Sequence, residues 1–173
     1  MMKPDLIILH GALGCKEQFA LWAEALSARF KCHSFDFSGH GARSNERAEF
    51  SIPLFADDLH KFINERELIK PRILGYSMGG YVALYAALKQ KDLLGNIMTL
   101  ATKFDWNPGS SKKEAGYLKP EIMQQKVPQL VAQLKERHEN HWENVVERTA
   151  SMMIKLGEAP LLTPENTNEI SNT

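Results

Sequence analysis

One stretch constrains this chain more than any other: Arg72-Ile73-Leu74-Gly75-Tyr76-Ser77-Met78-Gly79-Gly80-Tyr81-Val82-Ala83-Leu84. A short apolar run enters it, a serine flanked by glycines sits at its centre, and an apolar helical pattern leaves it. This reads as a strand that turns sharply into a helix with Ser77 at the apex. Such a turn forces Ser77 into a strained backbone with φ above zero. Side chains two residues before and two after would collide there, and Gly75 and Gly79 remove them. The hydroxyl is pushed beyond the end of the sheet, beside the first amides of a helix, where negative charge is favoured. The pentapeptide alone also fits a plain strand-to-helix turn with a capping serine, so its surroundings decide.

Those surroundings alternate strands with helices. Leu6 to Leu9 reads as a buried strand that ends in the turn His10-Gly11-Ala12-Leu13-Gly14. The next segment carries Phe19, Trp22, Leu26 and Phe30 at helical spacing. A second strand, Cys32 to Phe35, runs into the turn-rich loop Asp36 to Ser44. Ser51 and Pro53 mark a helix start, with Phe55, Leu59, Phe62 and Ile63 on one side. The third strand is Arg72 to Leu74 and the fourth Ile97 to Ala101, with a helix from Tyr81 to Lys89 between them. This order predicts parallel β-α-β units: an α/β, three-layer, doubly wound parallel sheet of about four strands. In such sheets ligands gather at the carboxyl ends of the strands. His10-Gly11, Asp36, Ser77 and Thr102-Lys103 all follow strands directly, so their loops converge on one edge.

After Ala101 the texture changes. Residues 103–120 read as irregular with one short helix, and 121–157 as helical with a break at Pro128. No strand pattern follows. The expected organisation is a core over 1–102, a helical lid over 103–160 and a tail over 161–173.

Composition narrows the partners. Lys plus Arg and Asp plus Glu number 21 each, and no basic stripe suits a nucleic-acid backbone. The first apolar run is too short for a signal sequence or a membrane span, so a cytoplasmic protein without membrane partners is expected. Cys15 and Cys32 fit reduced thiols. Gly11 to Lys16 has the wrong spacing for a phosphate loop, and Glu17 takes the position of its hydroxyl residue. His138 and His141, three apart on a helix, have no cluster spaced to complete a metal site and are expected on a solvated face. No metal or cofactor is called for.

The backbone amides of Ala12 and Met78 follow the first and third strands. Together they could form an oxyanion hole, the largest single contribution to catalysis in acyl transfer. His10, Leu13, Trp106 and Trp142 are the candidate substrate contacts. The Met and Trp residues of 142–156 fit helix packing as well as a substrate wall.

Three motifs stand in order: a strand ending in His10-Gly11; then Asp36 with Gly39-His40-Gly41 and Ser44; then Gly75-Tyr76-Ser77-Met78-Gly79-Gly80 leading into a helix. This set resembles the α/β-hydrolase fold family across roughly residues 5–102, and the helical block matches the family's lid in position. The resemblance implies Ser77 as the nucleophile, Ala12 and Met78 as oxyanion donors, and a lid that governs substrate choice. It also implies two further strands, whose following loops carry an acid and a histidine base. No residue after Thr102 matches either by motif. Some relatives take the acid from the loop after the fourth strand, which makes Asp105 the candidate acid; no corresponding histidine exists.

In the family's strand order Ile97 to Ala101 would lie at an exposed apolar edge, a known association hazard. The expectation is therefore a truncated hydrolase. Its open edge calls for a missing C-terminal segment, a second copy or another partner chain. The expected reaction is hydrolysis of a small ester or related acyl substrate through a Ser77 acyl-enzyme, impaired in these 173 residues. A lyase or thioester-handling member of the same fold, and a catalytically silent binding domain, are the alternatives.

Overall fold

The computed structural model describes residues 3–170; the last three residues of the 161–173 tail lie outside them. Four strands, β1 (Asp5–Leu9), β2 (Lys31–Ser34), β3 (Arg72–Tyr76) and β4 (Ile97–Leu100), form one parallel sheet in the order β2-β1-β3-β4. β1 is central and apolar on both faces because helices cover both sides. Its alternating side chains divide the core. Ile7 and Leu9 join Ile73 on one side, against α2 (Ile52–Glu65) and α3 (Met78–Lys89). Leu6 and Ile8 point the other way, towards α1 (Ala20–Leu26).

The sequence explains these helices locally. Ser51 caps α2: its hydroxyl accepts from the Leu54 amide at 3.2 Å, and Pro53 stands in the first turn. The buried side of α2 is Phe55, Leu59 and Ile63, as the spacing predicts. α1 is shorter than its pattern suggests. Residues 16–19 form a 3₁₀ turn, and the stripe on the sheet is Phe19, Ala23, Leu26 and Phe30, which leaves Trp22 41% exposed. α3 starts three residues earlier than expected, because Met78, Gly79 and Gly80 form its first turn.

On the α1 side of the sheet, Tyr76, Met98 and Leu100 are exposed, and β4 is the last strand on its side among the described residues. Among the described residues, the regular elements after β4 are all helices. They comprise α4 (Pro108–Tyr117), α5 (Pro120–Lys126), α6 (Pro128–His138), α7 (Trp142–Glu158) and the short α8 (Pro164–Thr167). Pro128 separates α5 from α6 rather than bending one helix. α7 carries two apolar rows. Trp142 and Val146 pack with Met123, Val131 and Leu134 in a small core of the block itself. Val145, Met152 and Leu156 join the main core over the sheet. The chain then returns to α3, where the Tyr81 hydroxyl accepts from the amides of Leu161 and Leu162 at 3.2 and 2.9 Å. No helix among the described residues is long and apolar enough to cross a membrane.

Candidate active site

Ser77 stands between β3 and α3 with φ 49° and ψ −115°. A serine in this region costs about 1–3 kcal/mol, so its surroundings must hold it. Several bonds do. The Ser77 amide donates to the Leu100 carbonyl at 2.8 Å, and its carbonyl accepts from the Thr102 hydroxyl at 2.9 Å and the Gly80 amide at 3.1 Å. The loop after β4 thus braces the turn from one side. Close packing braces it from the others. A Cβ on Gly75 would lie 2.5 Å from the Gly80 backbone, and one on Gly79 would lie 2.7 Å from the Leu9 and His10 carbonyl oxygens. Gly75 lets α3 start against β3, and Gly79 lets it start against β1.

A cavity of about 40 Å³ opens on Ser77, lined by Ala12, Met78, Ile52, Tyr81, Lys103 and Trp106 and roofed by Met152, Met153 and Leu156 of α7. That volume holds a few water molecules at most. An acyl group therefore needs the roof to shift, and unbranched Met side chains are suited to that. The Met78 amide, first in α3, has no acceptor within its own helix. The Ala12 amide belongs to the turn that lies over Ser77: a Cβ on Gly11 would stand 3.1 Å from the Ser77 Cβ. Ala12, Ser77 and Met78 thus line one largely apolar space.

Of the other sequence candidates, Trp106 is in the cavity wall. Its indole N–H donates to the Lys103 carbonyl at 3.1 Å, and the Lys103 ammonium lies 5.4 Å from its ring. Trp142 is not in the wall; it is buried in the core of the helical block, where Lys135 covers its ring. Leu13 packs against both the main core and that of the block and is not in the cavity wall. His10 is fully buried under the turn. It donates from Nδ1 to the Gly11 carbonyl at 2.8 Å and accepts at Nε2 from the Phe37 amide at 3.1 Å. Burial pushes its pKa down to about 4, so it stays neutral and structural. Asp105 is exposed and accepts from the Asn107 side chain at 2.8 Å at the start of α4. It lines a separate open groove of about 730 Å³, with Phe104, Leu162 and Pro164, that does not contain Ser77.

The Asp36-to-Ser44 motif is a brace. The Asp36 carboxylate accepts from the amides of Lys16 and Ala42, at 2.8 and 3.1 Å. Arg43 donates to Asp58, Ser38 and Glu46. His138 departs most from expectation. It is fully buried, bonded to both core loops, and not on a solvated face. Sequence reasoning also missed Lys103, Ile52 and Tyr81 in the cavity wall; for Lys103 the signal was its place just after β4, on the same sheet edge as Ser77. Among the described residues, no histidine lines the cavity.

The family follows from comparison as well as from geometry. The model of the alpha/beta hydrolase fold family matches residues 4–145, and the chain belongs to that family. Within the family, the chain is 32% identical over 103 residues to the pimeloyl-[acyl-carrier protein] methyl ester esterase of Aeromonas salmonicida, covering 57% of this chain and 38% of that protein. It is 34% identical over 91 residues to the chloroplastic protein PHYLLO of Arabidopsis thaliana, covering 48% of this chain and 5% of that protein. The chain thus spans well under two thirds of either relative. An esterase structure from Exiguobacterium antarcticum superposes with a TM-score of 0.73 at 18% identity, over 98% of this chain and 70% of that one, a likeness of fold.

Proposed function

We propose that this chain carries the nucleophile and oxyanion hole of a serine hydrolase acting on a small ester or related acyl substrate. The observation that carries the reading is the shared cavity of Ser77, Ala12 and Met78, with Ser77 held at positive φ. The similarity to a methyl ester esterase supports it. In the proposed reaction the Ser77 oxygen attacks the ester carbonyl and its proton passes to a base. The new oxyanion accepts from the amides of Ala12 and Met78. Collapse releases the alcohol, which takes the proton back, and leaves Ser77 acylated until water repeats the sequence. The helices above Ser77 act as a lid, with Met152, Met153 and Leu156 against the acyl group.

A serine hydroxyl needs an adjacent base. The six histidines of this chain all lie outside the cavity wall, so the reading has the base supplied from outside these 173 residues. With oxyanion donors and binding alone, about 10³–10⁴-fold over the uncatalysed rate remains. The open side of β4 is then the place for a further segment or a partner chain.

Fluorophosphonate labelling followed by peptide mapping separates this reading from its rivals. Slow labelling of Ser77 in these residues, and fast labelling in a longer form that adds a strand, an acid and a histidine, is the expected result. No adduct at Ser77 in either form favours a silent binding domain. Turnover of a non-ester substrate without hydrolysis favours a lyase of the same fold.

A further inference from the structure

The His10–Gly14 turn is held from two sides. Beneath it, His10 ties Gly11 to Phe37. Above it stands His138, the last residue of α6, 125 positions away in sequence from the Leu13 carbonyl that its Nε2 meets at 3.0 Å. A carbonyl can only accept, so Nε2 carries the proton. The other nitrogen, Nδ1, accepts from the Gly41 amide at 3.0 Å. One neutral imidazole in one tautomer therefore joins the helical block to two loops of the core. Burial, which lowers the pKa of His138, favours that neutral form. The contact is placed to matter. Leu13 has φ 60°, a strained value for a leucine, and its carbonyl lies two peptide units after the Gly11–Ala12 peptide that carries the Ala12 amide, within the same short turn. Its side chain packs on both cores, and the Gly14 amide closes the turn on the Gly11 carbonyl at 3.1 Å.

We propose that His138 is a positioning residue for the oxyanion turn: its bond to the Leu13 carbonyl fixes the Ala12 amide over Ser77 when the helical block is seated, and releases it when the block lifts. This rests on the assignment of Ala12 as an oxyanion donor, but the holding of the turn can be measured without any activity. Substrate entry and completion of the oxyanion hole are then coupled: the helical block whose α7 roofs the cavity also holds, through the end of α6, one of its two donors in place.

Amide hydrogen exchange by NMR tests this on the whole chain. The reporters are Gly14 for the turn, Gly41 for the second loop and Ser77 for the elbow, the sharp turn from β3 into α3. His138→Gln keeps a donor near the Nε2 position, and His138→Asn keeps an acceptor near the Nδ1 position. The expected result is a split. Gln leaves Gly14 protected and speeds Gly41 at least tenfold; Asn does the reverse; Ser77 changes in neither. His138→Ala speeds both reporters. Equal changes at all three amides reduce His138 to a general stabiliser and overturn the proposal, as does an unchanged Gly14 in the Asn variant. Should His138→Ala fail to fold, the Gln and Asn pair still decides. A split observed in a chain whose Ser77 never labels keeps the positioning role and removes only the hydrolase reading.

Discussion

Gly75→Ala is expected to lower stability by about 3 kcal/mol or more and to leave little folded protein at 37 °C. The methyl group would stand 2.5 Å from Cα and N of Gly80 and 2.8 Å from the carbonyl carbon of Gly79. These are backbone atoms of the first turn of α3, not the tip of a side chain that can swing away. Relief requires α3 to withdraw from β3, which breaks the bonds that hold Ser77 to Leu100 and Thr102. At an ordinary strand glycine, alanine instead stabilises by about 0.5–1 kcal/mol, so the effect here should be opposite in sign. Urea unfolding followed by tryptophan fluorescence measures it. A loss under 1 kcal/mol would mean that α3 can move freely at its start, and the elbow would not be the rigid element described.

The second large effect is sensitivity to acid. His10, His40 and His138 are each fully buried, and burial depresses the pKa of all three. His10 and His40 stand 5.2 Å apart between ring centroids, and His40 and His138 5.9 Å. Protonating one therefore opposes protonating the next. Their folded pKa values lie below the ordinary 6.5. Between 6.5 and the folded value, the unfolded chain binds protons that the folded chain refuses, so stability falls as pH drops through that window and is intact above it. For His10 the window runs from 6.5 to about 4 and corresponds to a loss of about 3 kcal/mol. His40 and His138 add in the same direction.

Among the described residues the His40 Nε2 has no hydrogen-bond partner, and the ring lies flat against Phe50, so a proton added at Nε2 finds no acceptor. Urea midpoints at pH 7.5, 6 and 4.5 should fall steadily, with a shallower slope in His40→Leu. A flat profile above pH 4.5 would contradict the buried neutral histidines. Since His138 holds both Leu13 and Gly41, the helical block should loosen early in the descent.

Much of this was legible in the sequence, for identifiable reasons. β1, β3 and β4 are short apolar runs followed at once by turn residues, and a parallel sheet buries such runs on both faces. The elbow was legible because its two glycines answer a steric demand that few other structures make. The errors have a common form. Phe19, Trp22, Leu26 and Phe30 fit a helical stripe as well as Phe19, Ala23, Leu26 and Phe30 do, and only the sheet beneath chooses the second. Trp142 and Met152 share the helix α7, yet one fills the small core of the block and the other roofs the cavity. Which row faces which core depends on α4, α5 and α6, whose placement no local pattern states. His138 looked solvated because its neighbours are charged. Its partners are single backbone groups of Leu13 and Gly41, and nothing in the sequence marks a carbonyl that awaits a donor. The Asp36 loop was recognisable as a motif, but its role as a brace required the amides of Lys16 and Ala42 to be seen against it.

In the proposed reaction the Ser77 Oγ takes the acyl group. Incubation of the chain with p-nitrophenyl butyrate, quenching in acid and peptide mass mapping tests that directly. Among the described residues no histidine lines the cavity to activate the deacylating water, so an acyl group once transferred should persist. The predicted result is a single butyryl adduct on the peptide that contains Ser77, absent from Ser77→Ala. An adduct on another residue, or a Ser77 peptide that remains unmodified after prolonged exposure, would contradict it.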